Sequence, residues 1–208
     1  MAAARQRGSR MPEEIEAKVR IPGAPGAEAF RRRMEASGPG APGTRTVFEV
    51  NRLFDDAEES LRRRGAAVRL REERSAADGR TIRAMLTYKG PLAESPLKRR
   101  PEIETRVDSP DAAVAILEAV GLSETFRYEK RRTVWRVGEC EVALDEVPHL
   151  GWFVEVEGPS EKAVRARLAD LGLDEAETIS KDYVHLLVGH LESLGRDPAR
   201  AVFEEGTS

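Results

Sequence analysis

The chain has 208 residues, of which 40% are hydrophobic and 34% charged, and this composition indicates a globular protein with a real core. Its 34 Lys and Arg residues nearly balance 37 Asp and Glu residues, so the basic excess of a nonspecific nucleic-acid binder is absent and we expect no nucleic-acid partner. The single cysteine, Cys140, excludes an intramolecular disulfide and a cysteine-rich zinc site. No apolar run reaches the roughly 18 residues of a membrane helix. The sequence therefore predicts a cytoplasmic protein with no membrane partner.

The N-terminal part of the chain is rich in turn-forming residues. Residues 1–11 contain three arginines and no apolar stretch, so we expect a disordered leader rather than a signal peptide. Two segments rich in Pro and Gly, 21–26 and 38–43, enclose a short predicted helix at 27–36, in which Phe30 and Met34 are four residues apart.

Three further helices are predicted, at 109–121, 160–172 and 181–194. The first has Ser109 as its N-cap and Pro110 at its first helical position, a combination typical of helix starts. Its predicted buried stripe consists of Val114, Leu117 and Val120. We expect residues 195–208 to form a flexible tail, so that residues 12–194 make up a single domain.

The remaining segments alternate between apolar and polar residues, as β-strands do. Eight strands are predicted, at 12–20, 45–54, 66–74, 81–90, 99–107, 125–137, 140–147 and 151–157. Residues 137–140 look like a hairpin turn between two of them. Because few strand–helix–strand alternations occur, an antiparallel sheet or barrel is favoured over a parallel sheet. The expected class is mainly β with flanking helices (α+β).

Charged residues occupy one face of seven of these strands. Residues two apart on a strand share a face, so Glu14, Glu16 and Lys18 lie together, opposite Ile15 and Ala17. On several other strands, the same two-residue spacing places a pair of like-charged side chains, called a doublet here, on one face. If all these faces line a closed barrel, its interior holds seven acids, Glu14, Glu16, Glu102, Glu104, Asp145, Glu155 and Glu157, and six bases, Lys18, Arg69, Arg71, Lys89, Lys130 and Arg132.

Such doublets have a chemical purpose. Neighbouring like charges repel on a solvated sheet, so an ordinary wet face has no reason to collect them. Carboxylates two residues apart converge on a hard cation, and Arg and Lys doublets converge on phosphate oxygens. A single Glu-x-Glu is more often an ordinary exposed face, but seven strands in phase favour a binding surface. The pattern therefore predicts a triphosphate bound together with divalent metal ions.

The charged motifs also resemble a known family. They are Glu14–Lys18, Val68–Arg71, Thr87–Pro91, Glu102–Glu104, Lys130–Arg132, Leu144–Val147 and Leu150–Glu157. In this order they resemble the CYTH family, also called triphosphate tunnel metalloenzymes, over about residues 12–190. The resemblance implies an eight-stranded antiparallel closed β-barrel, one or two Mg²⁺ or Mn²⁺ ions, and compatibility with a homodimer.

The resemblance also implies roles for the charged residues. The implied metal ligands are Glu14, Glu16, Glu155 and Glu157, with Asp145 and one of Glu102 or Glu104. The implied triphosphate-binding residues are Lys18, Arg69, Arg71, Lys89, Lys130 and Arg132. The residues expected to be catalytic are Glu14, Glu16, Lys18 and Lys89.

The resemblance leaves the substrate open among ATP, inorganic triphosphate and thiamine triphosphate. The layout is most similar to the class IV adenylate cyclase-like branch, whose reaction converts ATP to cyclic AMP and pyrophosphate. An inorganic or thiamine triphosphatase is the alternative. A sensor that binds polyphosphate or nucleotides without turnover is a second alternative, although a polyanion binder has no need of seven carboxylates.

Overall fold

The computed structural model describes residues 12–36 and 45–204. The predicted leader 1–11 and the second segment rich in Pro and Gly lie outside the described residues. The strands within the described ranges are β1 (Glu13–Ile21), β2 (Arg45–Asp55), β3 (Ala67–Ser75), β4 (Thr81–Lys89), β5 (Lys98–Val107), β6 (Ser123–Val137), β7 (Cys140–Val147), β8 (Gly151–Glu157) and β9 (Arg200–Ala201). The helices there are α1 (Gly23–Ala36), α2 (Ser60–Arg63), α3 (Pro110–Ala119), α4 (Glu161–Asp170) and α5 (Tyr183–Ser193).

The first eight strands close into an antiparallel barrel. The strand order is β2-β3-β4-β5-β1-β8-β7-β6, and a further pairing between β2 and β6 closes the ring. Two hairpin-connected sheets, β2–β5 and β6–β8, are thus joined on one side by β1 and on the other by the β2–β6 seam. The predicted closed barrel with flanking helices is confirmed, and each predicted strand lies within two residues of an observed one.

Two helices differ from their predicted form. α1 begins at Gly23 instead of residue 27, because Pro25 lies in the first helical turn, where a missing N–H donor costs no hydrogen bond. The Ser109 side chain caps α3 as predicted and accepts a hydrogen bond from the Ala112 N–H. Val120, however, is 68% exposed at the end of this helix, and Ala113 replaces it in the buried stripe.

Part of the segment expected to be a flexible tail is packed against the barrel. Arg200 and Ala201 pair with β6 in parallel, and Ala201 is fully buried. The physical reason is that β7 pairs with β6 only from Arg131 onward, which leaves the preceding part of β6 with a free hydrogen-bonding edge. Phe203 then packs beside Phe48 on the outside of the barrel.

The apolar core lies outside the barrel wall. α1 and α4 cover β1, β7 and β8, and the rings of Phe30 and Trp135 meet edge to face at 6.1 Å in this layer. α3 covers the outer side of β3 and β4 through Leu117 and Leu70. α5 packs through its buried Leu187 against aromatic residues of the barrel. No helix in the described part of the chain is long and apolar enough to cross a membrane.

Candidate active site

The barrel encloses a cavity of about 700 Å³ whose wall is charged. Because alternate residues of each strand point inward, the predicted doublets meet in this space. Twelve of the thirteen predicted charged residues line it, and Asp145 lies behind them. Further charged residues that the sequence analysis did not single out also line it, namely Glu13, Arg45, Arg83, Lys98, Arg100, Arg136, Glu139, Glu141 and Asp182.

Carboxylates gather where β1 meets its two neighbours. Strand register places Glu16 opposite Glu157 on β8, and Glu157 opposite Glu141 on β7. Lys98 and Arg136 flank this row on β5 and β6. Three glutamates are therefore consecutive neighbours across three strands, an arrangement that is unfavourable without a cation.

Lysines neutralise the buried members of this acidic set. Lys89 Nζ lies 2.8 Å from one oxygen of Glu14 and 2.5 Å from Glu102, and Lys98 Nζ lies 2.5 Å from Glu16. Burial raises the pKa of Glu16, and its acidic neighbours add to that effect against the opposing charge of Lys98. Burial also lowers the pKa of Lys89, and the positive charge of Arg69 lowers it further.

Glu157 has no hydrogen-bonding or ion-pairing partner among the described residues. It lies at the exposed end of β8. Loss of solvent between the barrel walls, together with the charges of Glu14 and Glu16, raises its pKa to about 7. A cation bound beside this carboxylate would favour its charged form and offset the repulsion of its acidic neighbours.

The opposite wall, formed by β2, β3, β4 and β6, is basic. Arg69 and Arg71 project from β3, and Lys130 and Arg132 project from β6. The buried Nε atoms of Arg69 and Arg71 have no hydrogen-bond acceptor, and the same holds for Arg45 and Arg83. Buried donors are normally satisfied, so these four point to an anionic ligand that would accept from them.

Two fully buried carboxylates hold this basic wall from behind. Glu49 of β2 lies 3.4 Å from Lys130 and 3.9 Å from both Arg71 and Arg132. Burial acts to raise the pKa of Glu49, but the surrounding cations outweigh it, so that the pKa lies well below its usual range. Asp145 of β7 accepts hydrogen bonds from Arg132 and Lys130.

The N-terminal end of α5 enters the cavity beside Lys18. The Asp182 side chain caps this helix by accepting from the His185 N–H. Lys18 Nζ donates to the Lys181 carbonyl at 3.0 Å and lies 4.0 Å from the centre of the Tyr183 ring. α5 therefore helps to fix the position of one predicted catalytic lysine.

Some of the residues missed by the sequence analysis had a readable signal. Lys98 and Arg100 share the alternation of Glu102: Arg100 already lay within the predicted strand, and extending that strand back by one residue would have included Lys98. Glu49 had a weaker signal, because its inward neighbours on β2 include Val47 and Leu53. A face of mixed polarity does not distinguish a tunnel wall from an ordinary strand.

The donor set suits a hard divalent cation, although no ready-made coordination shell is present. Among the described residues, no group of three or more His, Cys, Asp or Glu side chains is arranged to hold a metal ion. Several of the predicted carboxylates are instead turned toward lysines and arginines, as Glu14 is toward Lys89. All the candidates are carboxylate oxygens, which Mg²⁺ and Mn²⁺ prefer, and Glu157 carries like-charge repulsion that a cation would relieve. The residues therefore fit such an ion.

Comparison with known proteins decides the family. The model of the CYTH domain matches residues 12–182. The chain belongs to the CYTH family. This family has a metal-dependent triphosphate tunnel fold and includes adenylate cyclase-like and triphosphatase enzymes.

Individual proteins that are similar to this chain share less than 30% of its residues. "Putative adenylate cyclase MJ0240" of Methanocaldococcus jannaschii is 29% identical over 110 residues, which are 53% of this chain and 59% of that protein. The matched region is therefore less than two thirds of that relative. The solved structure of PH1819 from Pyrococcus horikoshii OT3 has a TM-score of 0.70 at 23% identity, covering 85% of this chain and 98% of that one. HpAC1 from Hippeastrum has a TM-score of 0.63 at 20% identity, covering 88% of this chain and 97% of that one.

Proposed function

We propose that this CYTH protein is a metal-dependent triphosphatase, which releases orthophosphate from the end of a triphosphate. One observation carries the proposal: most of the residues that line the described cavity are charged, and its wall offers no exposed aromatic ring on which a nucleobase could stack. Its aromatic residues are Tyr128 and Tyr183, both buried, and the Tyr183 ring already has Lys18 over it. A nucleotide cyclase has to orient the nucleoside as well as the phosphates, whereas a triphosphatase needs only the phosphate chain.

The basic wall is suited to the phosphate chain. Arg69 and Arg71 have free, buried Nε donors, and guanidinium groups bind phosphate oxygens through paired hydrogen bonds. Lys18, Lys89, Lys130 and Arg132 add the remaining positive charge. Phosphoryl transfer depends mainly on positioning and charge neutralisation, so these six residues would hold the substrate in line and stabilise its equatorial oxygens.

The acidic wall is suited to the metal. Glu14, Glu16, Glu155 and Glu157 would hold it, and Glu102 and Glu104 adjoin them. A divalent ion bound there supplies positive charge and Lewis acidity to the phosphate oxygens. Water then attacks the terminal phosphorus, the bond to the bridging oxygen breaks, and diphosphate (or the organic diphosphate) and orthophosphate leave. Mg²⁺ and Mn²⁺ are both compatible with oxygen ligands.

A class IV adenylate cyclase is the second candidate, favoured by the similarity to the M. jannaschii protein that is named a putative adenylate cyclase. HpAC1, named as a putative adenylyl cyclase, is described as having a dominant triphosphatase activity. Its low identity to this chain supports the fold alone. HpAC1 nevertheless illustrates that a protein named as a cyclase can act mainly as a triphosphatase. An experiment therefore has to distinguish the products of the two reactions.

Product analysis tests the proposal. The purified protein is incubated separately with inorganic triphosphate, thiamine triphosphate and ATP, each with Mg²⁺ or Mn²⁺, and the products are separated by ion-exchange chromatography. We expect orthophosphate, with inorganic or thiamine triphosphate consumed fastest. Cyclic AMP and pyrophosphate from ATP would establish the cyclase instead. Tight binding without turnover of any substrate would favour a sensor.

A further inference from the structure

The position of Asp145 differs from that of the other carboxylates predicted to bind metal. It is fully buried and does not line the cavity. Its Oδ1 accepts from Arg132 Nε at 2.7 Å. Its Oδ2 accepts from Arg132 Nη2 at 2.6 Å, from the Tyr183 hydroxyl at 2.9 Å and from Lys130 Nζ at 3.2 Å. Two side chains on β6 and one on α5 thus converge on a single carboxylate.

These contacts use the carboxylate almost completely. A carboxylate oxygen has about two lone pairs, and Oδ2 already faces three donors. To ligate a metal, Asp145 would have to lose either the paired hydrogen bonds from the Arg132 guanidinium or the hydrogen bond from the Tyr183 hydroxyl. Each loss would leave a buried polar group unsatisfied, which is costly. A metal bound to Asp145 would also lie beside the positive charges of Lys130 and Arg132, whereas Glu157 has no basic partner among the described residues.

Tyr183 connects this carboxylate to the rest of the basic set. Its hydroxyl donates to Asp145, and its ring centre lies 4.0 Å from Lys18 Nζ and 5.3 Å from Lys130 Nζ. The ring is itself held edge to face by Phe153 at 5.3 Å. One side chain from α5 therefore contacts two lysines and the carboxylate that orients Arg132.

We propose that Asp145 and Tyr183 form a positioning clamp that aims Lys130 and Arg132 at the substrate, and that Asp145 is not a metal ligand. The clamp rests on the proposed function only in assigning the phosphate chain to these two cations. It gives α5 a role in substrate affinity, because the helix supplies the tyrosine. It also gives Asp145, which the family resemblance implied as a metal ligand, a different role.

Diffraction from crystals grown with Mn²⁺ tests the metal half of the proposal directly. The anomalous signal of manganese locates the ion without any assumption about activity. We expect the ion among Glu14, Glu16, Glu155 and Glu157, with Asp145 still bound to Arg132. An Asp145 oxygen at ligand distance from manganese, about 2.2 Å for such ions, would overturn the proposal.

Affinity measurements give a second readout. Mn²⁺ binding to the metal-free protein is measured by titration calorimetry for Asp145→Asn, Glu157→Gln and Glu146→Gln. Glu146 is the matched control, because it pairs with Arg131 on the outer face, one residue along from the pair of Asp145 with Arg132. Glu157→Gln should weaken Mn²⁺ binding at least ten-fold, as expected for a ligand or its near neighbour. Asp145→Asn and the control Glu146→Gln should bind Mn²⁺ with the same affinity as each other. A loss in Asp145→Asn equal to that in Glu157→Gln would contradict the proposal.

The positioning half is tested with Tyr183→Phe, which keeps the ring and the net charge and removes only the hydroxyl. Binding of inorganic triphosphate is measured in the presence of EDTA, so the result does not depend on metal or turnover. Loss of this orienting hydrogen bond should weaken triphosphate affinity about five-fold. Mn²⁺ affinity should stay close to that of the unmodified protein, and the melting temperature should fall by only about 5 °C, so that the variant is folded under the conditions of the assay. Unchanged triphosphate affinity would refute the clamp, and absence of turnover in the unmodified protein would refute only the proposed function.

Discussion

Glu16 on β1 and Glu157 on β8 are direct cross-strand partners on the lumen side of the barrel. Only Glu16 has a lysine against it, Lys98, and Glu141 continues the row beyond Glu157. The metal-free barrel therefore contains like-charge repulsion at the place where β1 joins the two halves of the sheet.

Because of that repulsion, we expect divalent cations to stabilise the protein before any substrate is added. At a Mn²⁺ concentration of 100 times Kd, binding contributes about 2.7 kcal/mol, which should raise the melting temperature of a domain of this size by roughly 8 °C. Glu157→Gln should raise the melting temperature of the metal-free protein and shrink the increase caused by Mn²⁺. Differential scanning fluorimetry in EDTA and in Mn²⁺ measures both. If Mn²⁺ raised the melting temperature equally in the unmodified protein and in Glu157→Gln, Glu157 would not be part of the metal site.

The pKa of Glu157 predicts a dependence on pH. It is raised from 4.5 to about 7 in the folded protein, so the folded state holds this proton more tightly than the unfolded state does. The contribution to stability is present below pH 4.5 and is lost as pH rises through about 7. Relative to Glu157→Gln, the metal-free protein should lose stability between pH 5 and 8. Urea unfolding at several pH values checks this, and parallel curves for the two proteins would contradict it.

Removing one arginine from the basic wall should impair substrate binding and transition-state stabilisation together. The buried Nε of Arg71 has no hydrogen-bond acceptor, and its Nη2 lies 3.2 Å from Glu104. Loss of charge-assisted hydrogen bonds to phosphate should lower kcat/KM for inorganic triphosphate by about 10- to 100-fold in Arg71→Ala. Arg165→Ala is the control, because Arg165 pairs with Glu161 on the exposed surface of α4. Similar rates for both variants would exclude Arg71 from the site.

Glu49 should be needed for stability at neutral pH. It is fully buried among Lys130, Arg71 and Arg132, and removing its charge leaves those cations with less compensating negative charge. Glu49→Gln should therefore destabilise the fold by about 3 kcal/mol at pH 7. Since the folded pKa is lowered, the stabilisation is present above the ordinary value of 4.5 and falls as pH falls below it, so the two proteins should converge in acid. Guanidinium unfolding at pH 7 and pH 3 measures the difference.

The sequence predicted the barrel and most of its lumen because both depend on one local property, the two-residue alternation of strands. That property places Glu102 and Glu104 inward without any knowledge of their neighbours. It says nothing about which acid meets which base, since Lys89 and Glu14 belong to strands far apart in the chain. Those pairings follow from strand order and register, which the sequence does not display.

Other features could not be predicted from the sequence, each for a more specific reason. Glu49 shares its face of β2 with Val47 and Leu53, so the strand lacks the uniformly charged face that would identify it as part of the lumen. Tyr183 looks like one apolar position of an amphipathic helix, and only the folded structure shows its hydroxyl on Asp145. The packing of Ala201 was equally invisible, because it depends on an edge of β6 that β7 leaves open.

The two hairpin-connected sheets meet at β1 and at the β2–β6 seam, and each seam holds one half of the site. The acids lie at the first, where Glu16 faces Glu157, and the bases lie at the second, where Glu49 holds Lys130. Ligands would thus act as cross-links between the sheets: a cation would fasten one junction, and the phosphate chain would bridge to the other. Amide hydrogens of β1 and β2 should accordingly exchange with deuterium more slowly once ligands are bound, while those within the hairpins change less.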